Sequence, residues 1–325
     1  MSFTVTVPEI SARFSVGEDE TIVEAALVQN VPFPFSCHSG TCGTCKSRLI
    51  SGSVDLLEYS KFTLTDEERA TGLILACCAM PKSDCELSLV RQSPIPARRF
   101  AGKVAGLRDA THDIKIVQLE LAARNALQFL AGQYASLHFS GLPPRSYSMA
   151  NKPSDTLLEF HIRLCSEGAV SPYVHRSLAI GEHVEIDAPL GGSYLRDDHS
   201  GPVLAVAGGS GLGPIKSIID TLLTRAKPPP IQFFFGVRDV RDLYYADHFL
   251  SLERQGALMF TPVLSEPSAA TSYRTGYLSD VLSTEIKDLA GFKAYLAGPP
   301  VMVETCLAAI TSHGLSATDC YADSF

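Results

Sequence analysis

The sequence predicts a multidomain chain: an α+β unit, then an antiparallel β-barrel, then an α/β unit built on a parallel sheet. Three observations predict it. Three cysteines crowd one short stretch near the N-terminus, brief period-two apolar segments recur through the middle, and strand, glycine loop and helix alternate after Gly201. With 325 residues, 46% of them hydrophobic and 19% charged, the chain has room for two or three cores.

The first unit opens on residues 3–7 and 12–16, which alternate apolar and polar side chains around Pro8 and Glu9 and read as a hairpin. TIVEAALVQN follows with helical spacing, Ile22, Ala25, Ala26 and Gln29 stepping by three or four. The loop SCHSGTCGTCKSRL comes next. Cys37, Cys42 and Cys45 stand in the C-x4-C-x2-C spacing of a plant-type two-iron two-sulfur cluster, which needs a fourth, distant thiolate. Cys77, Cys78 and Cys85 are the candidates for it. Gly40 and Gly43 let the loop wrap an inorganic core without a Cβ in the way. Zinc is the nearest rival, but structural zinc sites usually pair two C-x2-C or His-containing clusters, and only one such pair occurs here.

The linker RQSPIPARRF, with two prolines, is the clearest boundary. From Phe100 to about Gly192, DIKIVQLEL, QYASLHF, LLEFHIRL and EHVEIDAPL read as short strands separated by turn residues, which suggests a barrel. A helix is expected at about 172–179, with Ser171 as its N-cap and Pro172 as its first residue, preceded by Gly168. Such a helix start is suited to an anion.

Beyond Gly201, PVLAVA leads into GGSGLGP and the helical IKSIIDTLLTRA, IQFFFG into VRDVRD and a helix, and FKAYLAGPP into VMVETCLAAI. This alternation implies a parallel sheet with ligands at the carboxyl ends of its strands. GGSGLGP is not a Walker A loop, because Pro214 and Ile215 stand where Lys and Ser or Thr are required, and Pro214 also replaces the third Rossmann glycine. Gly209, Gly211 and Gly213 would still let a pyrophosphate approach the backbone.

Composition narrows the class. Nine cysteines, no charged-then-apolar leader and no long apolar run point to a reduced, cytoplasmic setting without a membrane span. A net charge of −8 argues against a nucleic-acid surface.

Taken together and in this order, the motifs resemble the NAD(P)H-dependent reductase components of bacterial aromatic-ring-hydroxylating dioxygenases, over essentially the whole chain. The resemblance implies a β-grasp ferredoxin domain over 1–93, an FAD-binding β-barrel over 98–200 and an NAD(P)-binding α/β domain over 201–325. It implies Cys77 as the fourth ligand beside Cys37, Cys42 and Cys45. RSYSMAN matches the R-x-Y-S flavin motif. Arg145 would pair with the FAD pyrophosphate, Tyr147 would lie against the flavin or the ribityl chain, and Ser148 would bond near N5, with Ser146 beside them. HIRLCSEGAVSPYVH matches a second flavin segment. Its His161, Ile162 and Arg163 would run along the cofactor, while Gly168, Val170 and Ser171 hold the diphosphate. The His161 and His175 rings are read as structural.

GGSGLGP, with Gly209, Ser210 and Gly211, and AGPPVMVE, with Gly298 and Pro299, match the pyridine-nucleotide loops. Ala297 departs from the family, where many members carry cysteine. Phe325 in YADSF would cover the flavin. The implied activity is electron transfer from NADH or NADPH through FAD and a 2Fe–2S cluster to a Rieske-type ferredoxin or the terminal oxygenase. A diiron monooxygenase or a deoxysugar dehydratase are alternative clients. A reading from another class is a zinc- and nucleotide-binding regulatory module. The choice between NADH and NADPH stays open here, because Arg238 and Arg241 suit a 2′-phosphate while Asp239 and Asp242 suit a free ribose.

Overall fold

The structure, a computed structural model, describes residues 2–35, 37–90, 93–123 and 127–325. Residues 91 and 92 of the expected linker therefore lie outside the described residues. The chain forms two compact units, residues 1–92 with 324–325, and residues 93–323.

The first unit is a β-grasp. Its mixed sheet has the order Ala12–Gly17, Ser2–Val7, Cys85–Leu89, Lys46–Ser51, Leu73–Leu75. The predicted hairpin forms in register, with Val5 opposite Phe14, and the Ser2–Val7 strand then pairs parallel to Cys85–Leu89. One helix, Ile22–Val28, packs on this sheet through Ile22, Val23, Ala25 and Ala26. It starts where it does because Thr21 and Glu24 form a reciprocal capping box, which satisfies two otherwise unpaired amides.

The second unit contains two sheets. The first is antiparallel, in the order Arg145–Ser148, Tyr134–His138, His183–Leu190, Arg98–Asp109, Ile114–Leu121, Leu157–Arg163. Its outer strands meet: Met149 bridges Phe160, and the Ala150 N–H donates to the Glu159 carbonyl at 2.8 Å, closing the barrel. All four strands anticipated from alternation are present, and Val117, Leu119, Leu137, Phe160 and Ile186 fill the interior. The expected helix is shifted. It runs Val170–Arg176, and its cap position is Ala169, which makes no side-chain cap bond. Gly168, at φ +101°, turns the chain into the helix early, so Pro172 still falls in the first turn where its missing N–H costs nothing. Ser171 is consequently not the cap; its Oγ accepts the Cys165 N–H at 3.0 Å.

The second sheet has the order Arg274–Thr275, Met259–Leu264, Ile231–Val237, Val203–Gly208, Lys293–Gly298, Cys320–Ser324, and its first five strands run parallel. Leu212–Leu222 and Ala246–Arg254 cover one face, where Phe233, Phe235 and Tyr295 are buried; Leu278–Glu285 and Pro300–Ser312 cover the other, over Leu204, Val206 and Leu296. A sheet apolar on both faces must be sandwiched this way. The strand order reverses between Val203–Gly208 and Lys293–Gly298, which makes their carboxyl ends the topological switch point.

Candidate functional sites: a thiol group and a dinucleotide cavity

The cysteine loop turns its backbone amides toward sulfur. The N–H groups of Ser39, Thr41 and Cys42 point at Cys37 Sγ at 3.5, 3.4 and 3.4 Å, and the Cys77 N–H points at Cys45 Sγ at 3.4 Å. Such donors stabilise anionic sulfur. Gly40 lets the loop close on its neighbours, because a Cβ there would lie 2.6 Å from Tyr59 Cβ and 2.7 Å from Cys78 Sγ. The thiols interact as a group. Hydrogen bonds from Cys42 and then Cys77 hold Cys37 far below the ordinary thiol range, while bonds to Cys37 and Cys45 push Cys77 far above it. Cys77 is the residue that reaches both Cys37 and Cys45. Cys78 Sγ lies 3.7 Å from Cys77 Sγ and turns to the Glu58 carbonyl at 3.6 Å. Cys85 bonds the Ser83 and Ser53 carbonyls, apart from this group.

In the barrel, Arg145 is exposed at a strand end, with Nη1 donating to the Pro144 carbonyl at 2.8 Å. Tyr147 is two residues along and so shares its face. Burial pushes its phenol well up. Ser146 and Ser148, half-buried, occupy the opposite face. Within the second flavin segment the roles separate. Ile162 and Val170 point into the barrel core, and His161 is enclosed, Nε2 at 3.1 Å from Glu159 Oε1 and Nδ1 at 3.0 Å from the Tyr244 hydroxyl. Any contact these three make with a ligand must come from their backbone. Gly168 is open: a Cβ there would meet nothing within 4 Å.

A cavity of about 480 Å³ opens at the switch point, lined by Gly208, Gly209, Arg163, Arg238, Ser265, Tyr277 and Pro299 among others. Gly209, at φ +54°, has free space where a side chain would stand. Gly211 serves a different purpose. A Cβ on it would lie 2.1 Å from the Ala297 carbonyl, so it allows the turn to pack on the neighbouring strand. Ser210, half-buried, and Gly298, whose Cβ would crowd Gly208, frame the turn without lining the cavity. The helix already begins at Leu212, which places Gly213 inside it rather than in the loop.

The charged residues of the cavity wall are engaged with one another. Asp113 Oδ2 takes both Arg163 Nε, at 3.1 Å, and Arg238 Nη2, at 3.0 Å, while Arg238 Nε reaches Asp242 Oδ2 at 3.0 Å. Asp239 is occupied by the Val240 N–H and by Ser268. Asp113, Ser265 and Tyr277 carry no signal in the sequence, because a ligand wall assembled from the ends of several strands has no local spacing to reveal it.

A thiol group suited to iron and sulfide, a closed antiparallel barrel and a dinucleotide cavity at a parallel-sheet switch point together define an iron–sulfur flavoprotein oxidoreductase. The chain matches the 2Fe-2S iron-sulfur cluster binding domain over residues 5–82, the oxidoreductase FAD-binding domain over 102–194 and the oxidoreductase NAD-binding domain over 205–307. It is 35% identical to the ferredoxin–NAD(P)+ reductase component of the naphthalene 1,2-dioxygenase/salicylate 5-hydroxylase systems of Ralstonia sp., across 99% of this chain and 98% of that one. It is 38% identical to the reductase component of the Pseudomonas putida naphthalene 1,2-dioxygenase system, across 96% and 94%. The crystal structure of an Amycolatopsis cytochrome P450 reductase superposes with a TM-score of 0.73 at 35% identity, covering 99% and 98%. The chain belongs to the family of NAD(P)H-dependent reductase components of multicomponent oxygenase systems, in which a plant-type ferredoxin domain is fused to an FAD and NAD module. Its cofactors are a 2Fe–2S cluster, FAD and a nicotinamide dinucleotide.

Proposed function

We propose that this protein is the electron-supplying reductase of an aromatic-ring-hydroxylating dioxygenase system, passing electrons to a Rieske-type ferredoxin or directly to the terminal oxygenase. The observation that carries it is the convergence of Cys37, Cys42, Cys45 and Cys77 in a chain that also holds a dinucleotide cavity. In this reading the functional divisions are 1–93, 98–200 and 201–325, and the protein works in the cytoplasm. No helix among the described residues is long and apolar enough to cross a membrane.

When bound, the nicotinamide, flavin and iron–sulfur groups supply the redox chemistry, a hydride's two electrons entering together and leaving singly. The chain's own part is to hold and orient them. The four cysteines ligate iron, with the amides of residues 39, 41 and 42 lowering the cost of negative charge on sulfur. Arg145, Ser146, Tyr147 and Ser148, with the backbone of 161–163 and the Gly168–Ser171 turn, hold FAD. Gly209, Ser210, Gly211, Gly298 and Pro299 shape the nicotinamide loop.

Iron, acid-labile sulfide and flavin are to be assayed on the purified protein, followed by NADH-driven reduction of a Rieske-type ferredoxin and of an oxygenase component. Stoichiometric iron, sulfide and FAD with turnover to either acceptor support the reading. Zinc in place of iron would leave a nucleotide-binding regulatory module instead.

A further inference from the structure

The mechanism above leaves unused a buried polar chain running from the barrel to the nucleotide loop. Glu159 and His161 stand on the barrel strand Leu157–Arg163, and Tyr244 stands on the segment after Ile231–Val237. Glu159 Oε1 lies 3.1 Å from His161 Nε2, so that nitrogen carries a proton toward the carboxylate and Nδ1 is left as an acceptor. The Tyr244 hydroxyl sits 3.0 Å from Nδ1 and 3.4 Å from the Gly209 carbonyl, within donating reach of both. The Gly209 carbonyl also takes the Leu212 N–H. Gly209 is the left-handed residue whose open side lines the dinucleotide cavity.

We propose that Tyr244 is a positioning residue for coenzyme binding: through its hydroxyl the flavin barrel holds the Gly209 carbonyl, and with it the glycine loop, in the conformation that leaves the cavity open. A glycine has no side chain to fix its own backbone, and in αL its conformational freedom is wide. A hydroxyl anchored on a rigid barrel strand removes that freedom before the coenzyme arrives, which improves binding by cutting the ordering cost. The ring is already fixed by packing, edge-on to His161 at 5.3 Å and to Phe235 at 5.9 Å between centroids. The hydroxyl can therefore be removed without removing the ring.

Tyr245 is a control built into the same network. Its hydroxyl donates to the same Glu159 Oε1 at 3.0 Å and its ring stacks on His161 at 5.6 Å, yet it has no bond to the loop. The inference rests on the cavity being the nicotinamide site, and the experiment separates the two. Steady-state NADH kinetics with an artificial acceptor are measured on holoenzyme carrying Tyr244→Phe, Tyr245→Phe or Val301→Trp, the last narrowing the cavity from an exposed position in its wall. Flavin content and cluster absorbance are read in the same samples.

Tyr244→Phe is expected to raise KM for NADH about five- to ten-fold, the loss of one such hydrogen bond, with kcat at saturation within about two-fold of the parent. Tyr245→Phe is expected to keep the parent KM. A parental KM in Tyr244→Phe, an equal KM increase in both tyrosine variants, or loss of flavin from Tyr244→Phe would overturn the proposal. An unchanged KM in Val301→Trp would overturn instead the assignment of the cavity on which it rests.

Discussion

Cys77 and Cys45, 32 residues apart, are joined by a hydrogen bond from the Cys77 N–H to Cys45 Sγ at 3.4 Å, which draws the Leu73–Leu75 end of the sheet onto the cysteine loop. The adjacent Cys78 Sγ lies 3.7 Å from Cys77 Sγ and bonds the Glu58 carbonyl at 3.6 Å. Cys77 is hydrogen-bonded to both Cys37 and Cys45, whereas the Cys78 thiol bonds the Glu58 carbonyl, so the two thiols are not interchangeable. Cys77→Ser is therefore expected to abolish the visible cluster spectrum and the bound iron, and Cys78→Ser to keep both. The reverse pattern in iron assays would reassign the fourth ligand.

Arg145 Nη1 donates to the preceding Pro144 carbonyl at 2.8 Å, and the residue is exposed at the strand end. An exposed planar fork at the edge of the flavin barrel suits a pyrophosphate. Arg145→Ala should release FAD on gel filtration while iron content stays unchanged, since the cysteines belong to the other compact unit. A variant that keeps full flavin occupancy would remove Arg145 from the site.

How much of this was legible in the sequence depends on how local each signal is. The hairpin, the cysteine loop and the βα alternation are each written in contiguous residues, and all three are present. The helix boundary failed because Gly168 changes the chain direction ahead of a serine that looks like a cap. The glycine loop was legible as a loop, but the difference between Gly209, open to a ligand, and Gly211, packed on Ala297, depends on a strand almost 90 residues away. The pairing of Asp113 with Arg238 across 125 residues has no sequence signature at all.

That pairing bears on the coenzyme. Arg163 and Arg238 are the guanidiniums in the cavity wall, and Asp113 and Asp242 already neutralise them. A 2′-phosphate would enter against those carboxylates, so NADH should be the better donor. Asp113→Asn removes one negative charge and loosens both arginines. It is expected to lower KM for NADPH roughly five-fold, about 1 kcal/mol, with little change for NADH. A parent enzyme with lower KM for NADPH, or an Asp113→Asn variant that shifts both coenzymes equally, would contradict this.

Acid should act on the second unit through Glu159. Burial opposes its ionisation, but the His161 hydrogen bond and the Lys216 charge outweigh that and hold its carboxyl at about 2 rather than 4.5. A folded value below the unfolded one means the native state binds fewer protons. The contribution is therefore complete above about pH 4.5 and lost as pH falls through 2, and it is on the order of 3 kcal/mol. His161, whose burial lowers its affinity for a proton, adds a loss of the same sign as pH falls below 6.5. Glu159→Gln should flatten the decline of thermal unfolding temperature between pH 4.5 and pH 2, followed by circular dichroism. Parallel curves for parent and variant would show that the pair does not govern acid stability.

The segment leading to Phe325 is held firmly. Cys320–Ser324 forms an edge strand, the Tyr321 ring stacks on Tyr295 at 5.3 Å, and the Arg196 guanidinium lies 3.6 Å from the Tyr194 ring centroid and 4.3 Å from that of Tyr321. Phe325 itself is half-exposed. If that ring covers the flavin on the side the nicotinamide must reach, its stacking would be worth about 0.5–1.5 kcal/mol beyond area burial, small enough for the coenzyme to displace. Phe325→Ser should then retain FAD and lower KM for NADH and NADPH by roughly two- to ten-fold. The effect should be larger for NADPH, whose binding has less to spare against the paired arginines. Steady-state reduction of an artificial acceptor with each coenzyme, together with flavin fluorescence, measures both effects. Unchanged Michaelis constants with unchanged fluorescence would leave Phe325 no part in guarding the flavin.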